Sequence, residues 1–177
     1  QGVPVALDGV PSSLPEIVST LNAVAGSHGI GKIDIFEDGI MGLKSRELYE
    51  APGAAVILKL HHDLEQFCLT KEELDYKAGV DQKWAYLVYH GSWYSPLKDA
   101  LDAFVATTQT QVSGTVTAAL FHGSIDITSR QSDQSLFFPE IRGLQSRSFN
   151  QQLCGPAAQI AGLPWEILAK RKSKGKN

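Results

Sequence analysis

A chain of 177 residues, 43% hydrophobic and 20% charged, has the size and composition of one ordinary soluble domain. Its formal net charge of -3 argues against a general affinity for nucleic acid, and no apolar run approaches the roughly 20 residues that span a bilayer. The two cysteines, Cys68 and Cys154, sit in apolar stretches without C-x-x-C spacing, which predicts reduced, packed thiols in a cytoplasmic protein and no zinc site or disulfide framework.

The chain starts at Gln1 without an initiator methionine, which reads as a processed or truncated product, and no signal peptide is visible. Val3 to Leu7 reads as a strand followed by the turn residues Asp8-Gly9. Ser13-Leu14-Pro15-Glu16 is a capping box opening a helix with Leu14, Ile17, Val18, Leu21, Val24 and Ala25 on one face, and Gly26 is placed to stop it. The next residues, Gly26 to Lys32, fall one short of a phosphate-binding loop, since Ile33 stands where Ser or Thr is needed. They also run from helix into strand, the reverse of the order that aims a helix N-terminus at phosphates.

Ile33 to Glu37 and Ile40 to Ser45 flank Asp38-Gly39, a dipeptide that tolerates the positive φ angles of a two-residue hairpin turn. The predicted pairs are Glu37 with Ile40, Ile35 with Gly42 and Ile33 with Lys44, which places Glu37 and Lys44 on one face. Asp34, Phe36, Met41, Leu43 and Ser45 fall on the other, so both faces are partly apolar and cover is expected on each. Pro52 then begins a core helix through about Leu69. His61, His62 and Glu65 on that helix suit either a metal site or, in the absence of a third well-placed ligand, a polar edge.

Thr70-Lys71-Glu72-Glu73 offers a second capping box with a short helical turn, and Asp81 is placed to cap a further helix carrying Trp84, Leu87 and Val88. The aromatic group Tyr86, Tyr89, Trp93 and Tyr94 suits a core, a subunit contact or ring stacking. Ser95-Pro96 begins an amphipathic helix with Leu97, Leu101, Phe104 and Val105 inward, and Asp99 and Asp102 favoured near its N-terminus. From Val112 to Arg130 the period becomes two and His122-Gly123 turns a second hairpin. Past Ser132 an irregular arm is expected, then short helical pieces between Leu153 and Leu168 broken by Gly155-Pro156 and Gly162-Leu163-Pro164. Lys170 to Lys176 reads as a solvated basic tail. The fold class is therefore α+β, β-hairpins packed with amphipathic helices, with a domain over residues 1–140 and an arm over 141–177.

The run H-G-I-G-K-I-D-I-F-E from His28, followed by G-L-K-S-R-E-L-Y-E-A-P-G from Gly42, resembles the C-terminal signature of argininosuccinate synthases. Supporting stretches occur in family order: D-L-E-Q at Asp63–Gln66, A-Y-L-V-Y-H-G-S-W-Y-S-P at Ala85–Pro96, G-T-V at Gly114–Val116 and S-R-Q-S-D-Q-S-L-F at Ser129–Phe137. Residues beyond about 140 match loosely.

The resemblance implies a C-terminal synthetase and multimerisation domain. The complete family enzyme joins citrulline to aspartate with ATP, carried as its magnesium complex, to give argininosuccinate, AMP and pyrophosphate. It also implies that Glu37 and Tyr49 contact citrulline, with Lys44, Ser45 and Arg46 in support or, for the two cations, in structural ion pairs. No catalytic nucleophile, metal ligand or bound cofactor is implied for this segment. The expected partners are citrulline, an N-terminal ATP-binding domain and further copies in a tetramer. Two departures matter: the S-G-G-x-D-[ST] nucleotide loop does not occur here, and Asp38-Gly39 replaces the Asn-Arg that commonly follows the glutamate. The chain alone is therefore expected to be inactive, and a non-catalytic oligomerisation or amino-acid-binding module of the same fold stands as the alternative.

Overall fold

The computed structural model describes residues 1–39, 41–142 and 148–174. It contains two compact units, Gln1–Phe137 and Phe138–Asn177. Among the described residues the sheets are three separate antiparallel pairs, each a hairpin of neighbours in sequence. The architecture is accordingly α+β, with helices and small hairpins, as the sequence predicts.

In the first unit, β1 (Ala6–Leu7) and β2 (Val10–Pro11) are joined by Asp8 and Gly9, both at positive φ, so the predicted strand shrinks to two residues of a tight hairpin. Helix α1 (Leu14–Ser27) opens on Ser13, whose backbone N–H donates to Glu16 at 2.8 Å. It runs one residue past Gly26, to Ser27, with His28 as its C-cap. Gly29 takes φ +72°, the Gly29 N–H reaches the Gly26 carbonyl at 2.9 Å and the Ile30 N–H reaches that of Ala25 at 3.1 Å. Buried Ala25 and Ile30 close this end together, the hydrophobic contact of a Schellman cap. Two amides of the glycine-rich segment are thereby committed to the helix's own carbonyls.

Helix α2 (Pro52–Cys68) lies along α1. Its N-terminus is capped from outside, because Ala51 has no acceptor side chain; the Asn22 side-chain Oδ1 accepts the Gly53 N–H at 2.8 Å. Gly53 permits that approach, since a Cβ there would stand 2.9 Å from the Val18 carbonyl oxygen. Helix α3 (Lys71–Tyr89) begins at the Thr70 capping box and continues for 19 residues. Asp81 is not a cap but sits mid-helix, paired with Lys77 one turn earlier at 2.6 Å. Helix α4 (Pro96–Gln109) starts on Ser95, which accepts the Lys98 N–H. Leu97 stays 47% exposed where the sequence predicts an inward residue, while Asp102 accepts from the Trp84 indole at 2.7 Å and from Lys98 at 2.5 Å.

Strands β3 (Lys32–Asp38) and β4 (Lys44–Glu50) form one ribbon, and β5 (Thr115–Phe121) and β6 (Ser124–Gln131) another that lies against α2. The core runs through Ile17, Leu21, Ala25, Ile30, Val56 and Ile125, and continues in a second cluster of Leu64, Cys68, Leu69 and Val112. Arg130 on β6 forks onto Asp63 of α2 at 2.5 and 2.7 Å.

In the second unit, α5 (Pro139–Arg142) and a 3-10 turn at Gln151–Leu153 precede α6 (Cys154–Lys174). The expected short helical pieces are one 21-residue helix. Pro156 falls in its first turn, where no donor is needed, and Pro164 removes a single ladder bond from a long run. The helix includes Lys170 to Lys174, so that part of the basic stretch is ordered; the remainder lies outside the described residues. Cys154 is exposed at the start of α6 rather than packed, whereas Cys68 is buried. No helix among the described residues is long and apolar enough to cross a membrane.

Candidate functional site

The register of β3 and β4 sets the site. Glu37 pairs with Ser45, Ile35 with Glu47 and Ile33 with Tyr49, while Asp38 faces Lys44, Phe36 faces Arg46 and Asp34 faces Leu48. The predicted turn at Asp38-Gly39 does not form. Asp38 is still a strand residue and the connection is 39–43, with the positive φ at Gly42 and the loop closed by the Gly39 N–H on the Leu43 carbonyl at 3.0 Å. Ile40 lies outside the described residues. The predicted and observed registers differ by five residues, an odd number, so every side chain of the second strand changes face.

Glu37, Ser45, Glu47 and Tyr49 consequently share one face with Ile33 and Ile35. Lys44 and Arg46 are on the other, against the expectation that Lys44 would accompany Glu37. Each is held in an ion pair: Lys44 with Asp38 at 2.7 Å, and Arg46 in a fork on Asp34 at 2.9 and 2.6 Å. The guanidinium holds the Asp34 carboxyl below its usual range, and Arg46 is raised in return. The two cations complete the opposite face and do not line the site.

Tyr49 lies on the same face of the ribbon as Glu37, and the Glu37 carboxylate acts on its phenol. Partial desolvation is the main cause holding this phenol above its ordinary range, followed by the hydrogen bond to Glu37 and the negative charges of Glu37 and Glu47, with a smaller push from Tyr89. The face thus presents two carboxylates, a neutral phenol and a serine hydroxyl around two isoleucines. It offers many acceptors and few donors, which suits a ligand rich in N–H groups. Glu47 falls on this face although the sequence reading did not place it there. Alternation counted back from Tyr49, 49 to 47 to 45, carries the signal, but a turn placed at Asp38-Gly39 hides it.

Neither face is covered among the described residues: Phe36 and Leu48 are 73% and 71% exposed, and Tyr49 is 42% exposed. The base of the ribbon is fixed by the Ala51 N–H on the Gly31 carbonyl at 2.9 Å, and Gly31 at φ +80° leaves no room for a Cβ beside Pro52.

The other motif stretches fall mostly on structural pairs. In D-L-E-Q, Asp63 takes Arg130, and buried Glu65 takes Lys77 at 3.0 Å and the Gln109 amide at 2.7 Å. His61 joins this network through Gln109 at 2.8 Å, so the polar edge of α2 faces a buried lysine and amide. Gly114 of G-T-V is pressed against the Gln131 carbonyl and Leu64. The aromatic stretch is different: Tyr86, Tyr89, Trp93 and Tyr94 are all more than half exposed, so of the core, subunit contact and ring stacking that suit them, a core is not formed among the described residues.

Residues 1–168 match the family described as Arginosuccinate synthase C-terminal domain. Among curated proteins, an argininosuccinate synthase of Methanopyrus kandleri is 44% identical over 171 residues, covering 97% of this chain and 43% of the relative. That of Thermosynechococcus vestitus is 43% identical over 175 residues, covering 98% of this chain and 44% of the relative. A third, from Synechococcus elongatus, is 43% identical over 169 residues. The chain spans less than half the length of these relatives.

Proposed function

Because the chain belongs to the argininosuccinate synthase C-terminal domain family, we propose that it supplies the citrulline-facing surface and part of the subunit contacts of an ATP-dependent ligase whose nucleotide site lies on other residues. In that reaction the ureido oxygen of citrulline attacks the α-phosphorus of ATP, pyrophosphate leaves, and the amine of aspartate displaces AMP from the activated carbon. The products are argininosuccinate, AMP and pyrophosphate, and the work is done in the cytoplasm.

Catalysis of this kind depends on positioning and charge stabilisation rather than on a protein nucleophile. Glu37 accepts hydrogen bonds from N–H groups of citrulline, and Tyr49, neutral at working pH, orients that carboxylate and shares the contact. Ser45 beside Glu37 adds a hydroxyl. ATP and its magnesium are co-substrates held elsewhere, and this segment contributes no ligand to them. The exposed aromatic residues of α3 and the following turn serve contacts with further copies or with the nucleotide-binding part.

The observation that supports this reading best is that Glu37 and Tyr49, twelve positions apart in sequence, fall on one face of the ribbon, where Glu37 helps to hold the Tyr49 phenol above its ordinary range. Glu37→Gln in the complete protein is expected to weaken citrulline binding about tenfold while leaving ATP affinity within twofold; calorimetry that finds citrulline affinity unchanged would refute the site. The alternative is a binding or oligomerisation module without adenylation chemistry; an upstream reading frame encoding S-G-G-x-D-[ST] would favour the ligase. AMP release that requires this chain together with a separately produced nucleotide-binding half supports the ligase. No AMP from two folded halves supports the module.

A further inference from the structure

One buried carboxylate ties three helices together. Glu65 of α2 accepts at its Oε1 from Lys77 Nζ of α3 at 3.0 Å and from Gln109 Nε2 of α4 at 2.7 Å. Lys77 also reaches Asp81 at 2.6 Å, and the Gln109 side-chain oxygen meets His61 Nε2 at 2.8 Å. Lys77 and Gln109 are themselves buried, and among the described residues no buried side-chain nitrogen or oxygen lacks a partner. A polar cluster satisfied in this way holds one geometry, because a shift of either helix leaves a buried group unpaired.

Helices α3 and α4 are also closed on each other. The Trp84 indole and the Lys98 ammonium both donate to Asp102, at 2.7 and 2.5 Å, and the Tyr76 and Phe104 rings stand 5.3 Å apart. Residue 76 thus meets 104 and residue 84 meets 102, the pattern of an antiparallel helical hairpin. To the two core clusters this hairpin supplies a single partly buried side chain, Leu74. Its two arms are therefore joined to each other along their length, and to the body chiefly at the Glu65 cluster near their base. The aromatic residues Tyr86, Tyr89, Trp93 and Tyr94 lie at the opposite end, and Tyr89 is roughly 18 Å along the helix from Lys77 at about 1.5 Å per residue.

We propose that α3–α4 is a lever arm that opens from α2 as one cooperative piece, with Glu65 as the latch that fastens both of its helices and so sets the position of the aromatic tip. Segments that share little apolar core with the rest of a domain open at lower free energy than the whole, and they do so as contiguous units. Over the length of α3, a tilt of about 10° at the latch moves the tip by roughly 3 Å, enough to remake or break a packed contact. The lever holds whether the tip meets another copy of the chain or a nucleotide-binding part. Removing one partner of a buried ion pair leaves the other charge uncompensated and is costly, whereas removing both charges is tolerated. Lys77→Met therefore strikes the latch and leaves the Asp102 contacts within the arm intact.

Native-state hydrogen exchange, read by mass spectrometry on the complete protein at low denaturant, tests the lever. In the unaltered protein the amides of α3 and α4 are expected to exchange together, about tenfold or more faster than those of α1 and β5–β6. Lys77→Met is expected to speed exchange in both α3 and α4 by a further tenfold or so, with α1 within twofold of its former rate. Adding Glu65→Gln, which removes the stranded charge but keeps an acceptor for Gln109, is expected to recover part of that protection. Loosening of α3 without α4, or equal loosening of the whole unit, would overturn the inference. So would amides of α3 and α4 that, in the unaltered protein, exchange only with global unfolding, a result that needs no variant to fold.

Discussion

Two long hairpins, β3–β4 and β5–β6, have strands of seven or eight residues and yet are held in different ways. The second turns on two residues, His122 and Gly123, both at positive φ, and seats Ile125 in the main core against α1 and α2. It also takes an irregularity between Thr117 and Ala118, where the register steps by one and the strand bends. The first has a five-residue connection and buries none of its strand residues fully. A two-stranded ribbon without a covered face is marginal in water. One hairpin is therefore a structural element of this unit, and the other is presented by it, anchored at its base where Gly31, Ala51 and Pro52 meet.

This contrast predicts unequal costs for the same chemical change. Ile125→Ala leaves a cavity among Ile17, Leu21 and Val56 and is expected to cost about 3 kcal/mol in denaturant unfolding. Ile35→Ala, at a residue 38% exposed on β3, is expected to cost about 1 kcal/mol or less. Equal losses would show that the ribbon shares the core after all. Next in size is Gly114→Ala at the entry to β5. Its Cβ would stand 2.3 Å from the Gln131 carbonyl oxygen, so backbone must shift, at an expected cost of about 2 kcal/mol. Gly42→Ala in the β3–β4 connection meets nothing within 4 Å, and its penalty is confined to the strained φ of +73°. A larger loss at Gly42 than at Gly114 would reverse the comparison.

The same contrast explains what the sequence disclosed. At β5–β6 one turn dipeptide sits between two alternating runs, so turn, register and faces follow together. At β3–β4 two glycines compete, and local turn chemistry favours Asp38-Gly39 while the chain uses Gly42. The resulting odd shift left Glu37 and Tyr49 identifiable by motif but put Lys44 on the wrong face and concealed Glu47. Helix ends were legible where a capping box supplied a local signal, at Ser13 and Thr70. They were misplaced where the deciding contact was remote or cooperative. Gly26 reads as a stop, but Gly29 and Ile30 complete the cap, and Asp81 reads as a cap, but its i,i+4 partner Lys77 draws it into a longer helix.

Titration separates the two faces of the ribbon. Tyr49 is held up, first by desolvation and then by its bond to Glu37, so its phenol ionises later than an ordinary tyrosine. Glu37→Gln removes a negative neighbour and is expected to bring that ionisation back towards the usual range in an ultraviolet titration at alkaline pH. No change on substitution would place the phenol away from Glu37 and weaken the proposed site.

The smallest effect is expected on the opposite face, at Asp34. Its folded-state ionisation is depressed by Arg46, so whatever the pair contributes to stability is present above the ordinary aspartate range and lost as pH falls through the lowered value. Both partners are half or more exposed, at 50% and 61%, so solvent and salt screen the attraction and little stability follows from it. Arg46→Ala is expected to raise the Asp34 midpoint in a carboxyl-carbon NMR titration while leaving the unfolding curve nearly unmoved. An Asp34 midpoint already at the ordinary value in the unaltered protein would mean that the fork is not formed in solution. A large loss of stability with Arg46→Ala would mean that this face is covered, and that the ribbon is less free of its surroundings than β5–β6 makes it look.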